Sequence, residues 1–461
     1  EVAALSASAG TTDALLPALS AASRAAATLR DLAAAAPATR RDDPLRAALT
    51  SAGAVGALLG VLRCRSVLAT AALAAGPAEA APAQTATSSE GGGLHNGGGS
   101  AAAASIPGMF TKAALQPPSP SVPALAAPQA LRALHRTIAA LAALCHNLAS
   151  RRAALGEGAV AALCGVLEAC AADEPTQELG CKWLRVLSAG SDANRRLCVE
   201  AGAAAVLVGA TTRFPGSYGV QFSAVWSIMN VTALPDLSAA VGGEGVATAV
   251  VRAMDTHPGR WRLQDYGCSA LMNLAFDNDD NRSRVAGAGG VEAVVRAMCA
   301  HPRRVGVQLF GVRAVTNIVF GRRDVCDRAL RAGAVEAVTR AMHAMRDHRD
   351  VQVHGCAALL NLCCLPAARP AVCKAGGLQA VALAMRHFPS DEELQCNACR
   401  AIVSVLWVSS KSPGSKVRSR EALSSMGDPF CLATCAGSSA ECKQGSSPVQ
   451  DAHDAARQLH T

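Results

Sequence analysis

One phrase, returning at a fixed interval, constrains what this chain can fold into. Residues 288–298 read Ala-Gly-Gly-Val-Glu-Ala-Val-Val-Arg-Ala-Met, and residues 332–342 read Ala-Gly-Ala-Val-Glu-Ala-Val-Thr-Arg-Ala-Met. Looser copies start at Gly158, Gly202, Gly245 and Gly376. Successive spacings among the six glycines are 44, 43, 44, 44 and 43 residues. A second phrase begins 19 residues after each glycine, at Gln177, Gln221, Gln264, Gln308, Gln352 and Gln395. A register kept six times marks a stack of like units, each burying its apolar face against its neighbours.

Within a unit the apolar spacing is helical. Val291, Val294, Val295 and Met298 fall at i, i+3, i+4 and i+7, one face of a helix. The glycine before them ends a preceding helix or allows close backbone approach. His257-Pro258 and His301-Pro302 stop the helix, because proline cannot continue it. The Gln phrase then opens another long helix, with Leu271 and Leu274 on its buried stripe and small Gly267, Cys268 and Ala270 where a neighbour approaches. A short helix near 281–288 leads into the next glycine. The expected class is therefore all-α: one short and two longer helices per unit of about 44 residues, stacked as a solenoid.

Composition agrees. Apolar residues are 51% and aromatics only 3%, so the apolar content is mostly the Ala, Val and Leu of close-packed helices. Strands favour aromatic and β-branched residues, which argues against an all-β class. A charged fraction of 17% is no disorder signature. No run of about 20 apolar residues appears, so no membrane span is expected. The 18 cysteines read as reduced thiols packed as small hydrophobes. With no secretory signal visible, they point to the cytoplasm or nucleus.

Four segments are expected. Residues 131–408 are the regular solenoid. Residues 1–71 carry degenerate repeats: Ala52-Gly53-Ala54-Val55 is another middle-helix start, and Thr28-Leu29-Arg30-Asp31-Leu32-Ala33 echoes the end of a third helix. Residues 72–130, with Gly91-Gly92-Gly93 and Gly97-Gly98-Gly99, read as a disordered low-complexity insertion at a turn between helices. Residues 409–461 read as a disordered tail. The sequence opens at Glu1 inside a repeat, which leaves a further domain upstream open.

The phrases at 289–295, 355–362 and 194–199 resemble the armadillo-repeat family, strongly over 131–408 and weakly over 1–65. The resemblance implies a right-handed superhelix whose third helices line a concave groove for extended peptides. In that family an Asn on each third helix holds the peptide backbone, often with a Trp one turn earlier. Asn147, Asn230, Asn273, Asn317 and Asn361 match the Asn position, although Asn147 lies 11 residues before the next glycine instead of 15–16. Val186 and Ser404 replace Asn in two repeats, as does Asp31 in the degenerate first one. Only Trp226 and Asn230 give the full pair; the other one-turn-earlier places hold Lys182, Ser269, Arg313, Ala357 and Arg400.

Residues 131–408 hold 29 Lys and Arg against 23 Asp and Glu. A basic groove favours an acidic or phosphorylated segment, nearer in electrostatic character to the β-catenin-like subgroup than to importin-α-like import adaptors with Trp/Asn arrays and acidic walls. The expected function is a non-enzymatic scaffold or adaptor holding a protein or peptide through Trp226, Asn230, Asn273, Arg313, Asn317, Asn361, Lys182 and Arg400. The alternatives are an import-type cargo adaptor and the regulatory repeat arm of a larger enzyme. Nucleic acid is disfavoured, because aromatics for base stacking are few.

No catalytic or cofactor constellation stands out. Cys396-x-x-Cys399 lacks a second pair for zinc. Asp277-Asn278-Asp279-Asp280-Asn281 begins like a calcium loop, but Arg282 stands where that loop needs Gly and Ala288 where it needs Glu. Gly242-Gly243-Glu244-Gly245 lacks the Lys-Ser/Thr of a phosphate loop.

Overall fold

The computed structural model describes residues 12–35, 49–50, 53–63, 67–69, 71–72, 76, 126–243 and 245–406, and holds helices and no strand among them. Residues 73–125 of the expected insertion, apart from residue 76, and the expected tail over 409–461 lie outside the described residues. The chain divides into two compact units, one up to Leu179 and one from Gly180.

In the first unit, α1 (Thr12–Ala35) packs along α3 (Ala126–Leu144). Between them in sequence, α2 (Ala54–Arg63) buries Val55, Leu58, Leu59 and Leu62 and packs on α3, α4 (Leu148–Gly156) and α5 (Ala159–Ala169). Helix α3 begins at Ala126, so residues 126–130, expected within the insertion, belong to the helix instead. Its Ala130, Ala133, Leu134, Ile138 and Leu141 are fully buried, which is what extends it: the apolar stripe starts before the phrase that marks it. Helix α6 (Glu174–Leu187) starts in this unit and ends in the next.

The second unit repeats a three-helix pattern: α7 (Asp192–Glu200), α8 (Ala203–Arg213) and α9 (Tyr218–Val231); α10 (Pro235–Val241), α11 (Val246–Thr256) and α12 (Trp261–Ala275). Then come α13 (Asp279–Gly287), α14 (Gly290–Ala300) and α15 (Val305–Val319), followed by α16 (Arg323–Arg331), α17 (Ala334–Ala344) and α18 (Arg349–Leu362). The last triplet is α19 (Ala368–Lys374), α20 (Gly377–His387) and α21 (Glu392–Leu406). Middle helices α8, α11, α14, α17 and α20 pack each on the next, and third helices α9, α12, α15, α18 and α21 do the same. The core lies between these two layers, with Val291, Val294, Val295 and Met298 buried as their spacing implies.

Each repeat glycine sits just before a middle helix with positive φ, from 72° at Gly158 to 84° at Gly289. A side chain is strained in that left-handed conformation, which explains why the position does not vary. Asn278 caps α13 by accepting from the Asn281 amide 2.8 Å away, so the acidic run is a helix start, begun two residues earlier than the sequence reading places it.

Candidate functional site

The third helices carry every candidate residue but Asn147, and their N-terminal ends are built alike. The repeat glutamines are all buried, and each Nε2 donates to two main-chain carbonyls, ten and seven residues upstream. Gln308 reaches Met298 O at 2.8 Å and His301 O at 3.0 Å; Gln264 reaches Met254 O and His257 O at the same distances. Gln177, Gln221, Gln352 and Gln395 make the same pair of bonds. A helix end leaves carbonyls without partners, and the glutamine supplies the missing donor to the middle helix of its own repeat. Three residues on, the chain is Gly in most repeats. A Cβ at Gly311 would lie 2.6 Å from Met298 Cγ, and Gly267 and Gly355 face Met254 and Met342 at the same distance. These ends are scaffold, set by close packing.

The C-terminal ends differ. Asn230, Asn273, Asn317 and Asn361 stand one or two residues before the ends of α9, α12, α15 and α18. Their Nδ2 atoms reach back one repeat: Asn273 to Met229 O (3.2 Å), Asn317 to Met272 O (3.1 Å) and Asn361 to Thr316 O (3.1 Å). Asn230 reaches Ser188 Oγ at 3.0 Å and Arg185 O at 3.5 Å. The acceptor carbonyl always belongs to the residue just before the preceding asparagine position, even where Val186 occupies it. Asn273, Asn317 and Asn361 are half-buried, and each amide spends one N–H on this bond, leaving a second N–H and the oxygen. Asn230 is only 8% exposed.

Asn147 does not join this row. It is buried and caps α4, its Oδ1 accepting from Ala149 N (2.8 Å) and Ser150 N (3.1 Å). Helix α3 ends at Leu144, so the row position there falls at Ala142 or Ala143. An Asx cap before a short helix satisfies orphan amides, and that need decides the residue.

Trp226 is half-buried in an aromatic and cationic stack. The Arg185 guanidinium lies 4.6 Å from its ring centroid, and Tyr266 of α12 stacks on it at 4.4 Å and 20°. Phe222, one turn before on α9, meets Trp226 edge-on at 5.6 Å and Tyr266 at 5.7 Å. Contacts of this kind are worth about 0.5–1.5 kcal/mol each beyond area. The indole is thus held by protein groups from the repeats on both sides. Sequence reading missed Arg185, Phe222 and Tyr266. The i, i+4 spacing of Phe222 and Trp226 was the one available sign, while contacts separated by a whole repeat leave no local trace.

Arg313 is half-buried on α15, four residues before Asn317. It faces His354 of α18: burial, and then the Arg313 charge, holds the His354 imidazole below its ordinary range. Arg400 is exposed on α21 and Lys182 half-buried on α6. Asp265 brings a carboxyl to α12, and burial pushes it up from the usual range. Among the described residues, no group of three or more His, Cys, Asp or Glu is placed to hold a metal ion, and no helix is long and apolar enough to cross a membrane.

No family model matches the chain, and no curated protein does. Solved structures do match. The crystal structure of an engineered protein is 21% identical over 95% of both chains, with a TM-score of 0.57. A structure from work on a phosphorylation switch controlling the interaction between cadherin and beta-catenin is 14% identical, covers 64% of this chain and 53% of that chain, and has a TM-score of 0.54. A designed armadillo repeat protein in complex with peptide (KR)4 is 20% identical over 54% of this chain and 98% of that one, with a TM-score of 0.44. With its three-helix units of about 44 residues, the chain has the fold of an armadillo-repeat solenoid.

Proposed function

We propose that this protein is an interaction scaffold whose third helices hold an extended, acidic segment of a partner protein. The observation that carries the reading is the row of Asn273, Asn317 and Asn361, each anchored by one N–H with the rest of its amide unspent. A side-chain amide offers donor and acceptor together, so it pairs with a peptide unit whatever the side chain. Arg313 lies on the face of Asn317, four residues earlier, and with Lys182 and Arg400 gives the candidate set its positive sign. Trp226 enters this reading as a rigid wall of the strip, held by Arg185 and Tyr266. Asn230, nearly buried, serves mainly to bind its neighbour.

A peptide array probed with the full chain tests this. Acidic and phosphorylated peptides should bind, and Asn273→Ala with Asn317→Ala should weaken them about tenfold, since polar contacts are worth about 0.5–1.5 kcal/mol each. Circular dichroism should stay unchanged. Arg313→Glu should cost more at low salt than at high. A preference for Lys-rich peptides, improved by Arg313→Glu, would support an import-type adaptor in its place.

A further inference from the structure

Most cysteines among the described residues are buried, and the thiols of Cys326 and Cys364 meet. Cys326 lies buried on α16, and Cys364 is exposed just beyond the end of α18. Their Sγ atoms are 3.4 Å apart, with Cys364 placed to donate its S–H to Cys326. The Cys326 S–H in turn points to Val319 O at 3.4 Å and Asn361 O at 3.6 Å. A disulfide needs about 2.05 Å between sulfurs, so the pair has roughly 1.3 Å to close, within reach of a side-chain rotation. Cys363, buried, and Cys373, exposed, lie close by in sequence.

We propose that Cys326 and Cys364 form a peroxide-oxidised thiol pair that closes into a disulfide across one three-helix unit, between α16 and the end of α18. The two thiols differ in the way such a pair requires. Burial, and next the Cys364 side chain, pushes the Cys326 thiol far up, so it stays protonated and unreactive toward oxidant. Exposed Cys364 is the group a hydroperoxide can reach. Its thiolate sulfur attacks the peroxide oxygen; the O–O bond breaks, and with one proton taken up the products are the Cys364 sulfenic acid and, from hydrogen peroxide, water. The Cys326 sulfur then attacks the sulfenic sulfur, forming S–S and breaking S–O, and its proton leaves with the hydroxyl as a second water. Two thiols are oxidised by two electrons and one peroxide is reduced. Because Cys326 resists ionisation, this second step is the slow one and quickens as pH rises.

The bond ties α16 to the end of α18 and removes the S–H that faces the Asn361 carbonyl. Cross-linking residues 38 apart in sequence restricts the unfolded chain, so the oxidised protein should melt later.

The test treats the full chain with limiting hydrogen peroxide near neutral pH, alkylates remaining thiols under denaturing conditions, and maps unreduced peptides by mass spectrometry. The expected product is a Cys326–Cys364 cross-linked peptide, lighter by two hydrogens than the separate peptides and released by dithiothreitol. The melting temperature should rise by several degrees in parallel. Cys364→Ser should abolish both the link and the rise. Cys326→Ala, which keeps a small apolar side chain in the buried place, should trap a Cys364 sulfenic acid that dimedone labels. A Cys364 bond to Cys363 or Cys373, or a Cys364 sulfinic acid beside a fully alkylatable Cys326, would overturn the proposal. Because linkage is mapped directly in the unmutated protein, the result stands even if a variant fails to fold.

Discussion

The two ends of each third helix obey different rules. At the N-terminal end, six glutamines make the same two bonds, and the glycines behind three of them each face the methionine of their own repeat at the same distance. At the C-terminal end the row runs Val186, Asn230, Asn273, Asn317, Asn361 and Ser404, and the residue one turn earlier changes from Lys to Trp, Ser, Arg, Ala and Arg. The first end is inside the packing, where an unsatisfied carbonyl or an extra methyl is felt at once. The second end mixes buried Val186, Asn230 and Ser269 with half-open Asn273, Asn317 and Asn361, where loss of a partner is compensated by water. The glutamine is invariant where its bonds lie inside the packing, and variation gathers at the end where the proposed ligand would lie.

Substitutions at matched positions break or sharpen this contrast. The largest effect is expected from Gln308→Ala, which leaves Met298 O without its donor, while His301 O keeps the Arg304 amide at 3.1 Å. An orphaned carbonyl costs about 1–3 kcal/mol and a lost bond about 0.5–1.5 kcal/mol, so thermal or urea unfolding should show a loss of roughly 2–4 kcal/mol, against about 0.5–1.5 kcal/mol for Asn317→Ala. Equal losses would erase the distinction between the two ends. Next comes Gly311→Ala, whose Cβ would press on Met298 Cγ at 2.6 Å. Overpacking of this kind costs about 1–3 kcal/mol. Combining it with Met298→Ala should cost less than the sum of the two, because the pair share one contact.

The smallest effect concerns pH. His354 is held below the unfolded imidazole value of about 6.5 by burial and by Arg313. Below that value the unfolded chain takes up the proton first, so stability should fall as pH drops from about 6.5 toward the folded value. Replacing Arg313 with Gln removes the nearby charge, so the His354 resonance followed by NMR should titrate at higher pH. An unmoved titration would mean that the two side chains do not face each other.

The three-helix unit was legible because periodicity is a local property: i, i+3, i+4 spacing and a glycine every 44 residues need no tertiary knowledge. The reason for the glutamine was not, since its acceptors lie on another helix and carbonyls have no residue signature. Asn147 shows the converse error. Its side chain fits the row chemically, but its spacing to Gly158 is short, and the structure spends it on the amides of α4. The Arg185, Trp226 and Tyr266 stack joins residues a repeat apart, and nothing in any one repeat announces it.

The bond spans set by the glutamines and asparagines also bear on how such a chain can change its length. A glutamine reaches ten residues back at most, so its bonds travel whole with any 44-residue block that is duplicated or deleted. An asparagine reaches 44 or 45 residues back, but to a main-chain carbonyl, which every residue type provides. Unequal exchange between copies would therefore splice a block out or in without stranding a donor, and the near-identity of 288–298 with 332–342 is the kind of trace such copying leaves. Length, on this architecture, is the trait that a lineage of these chains could alter most cheaply.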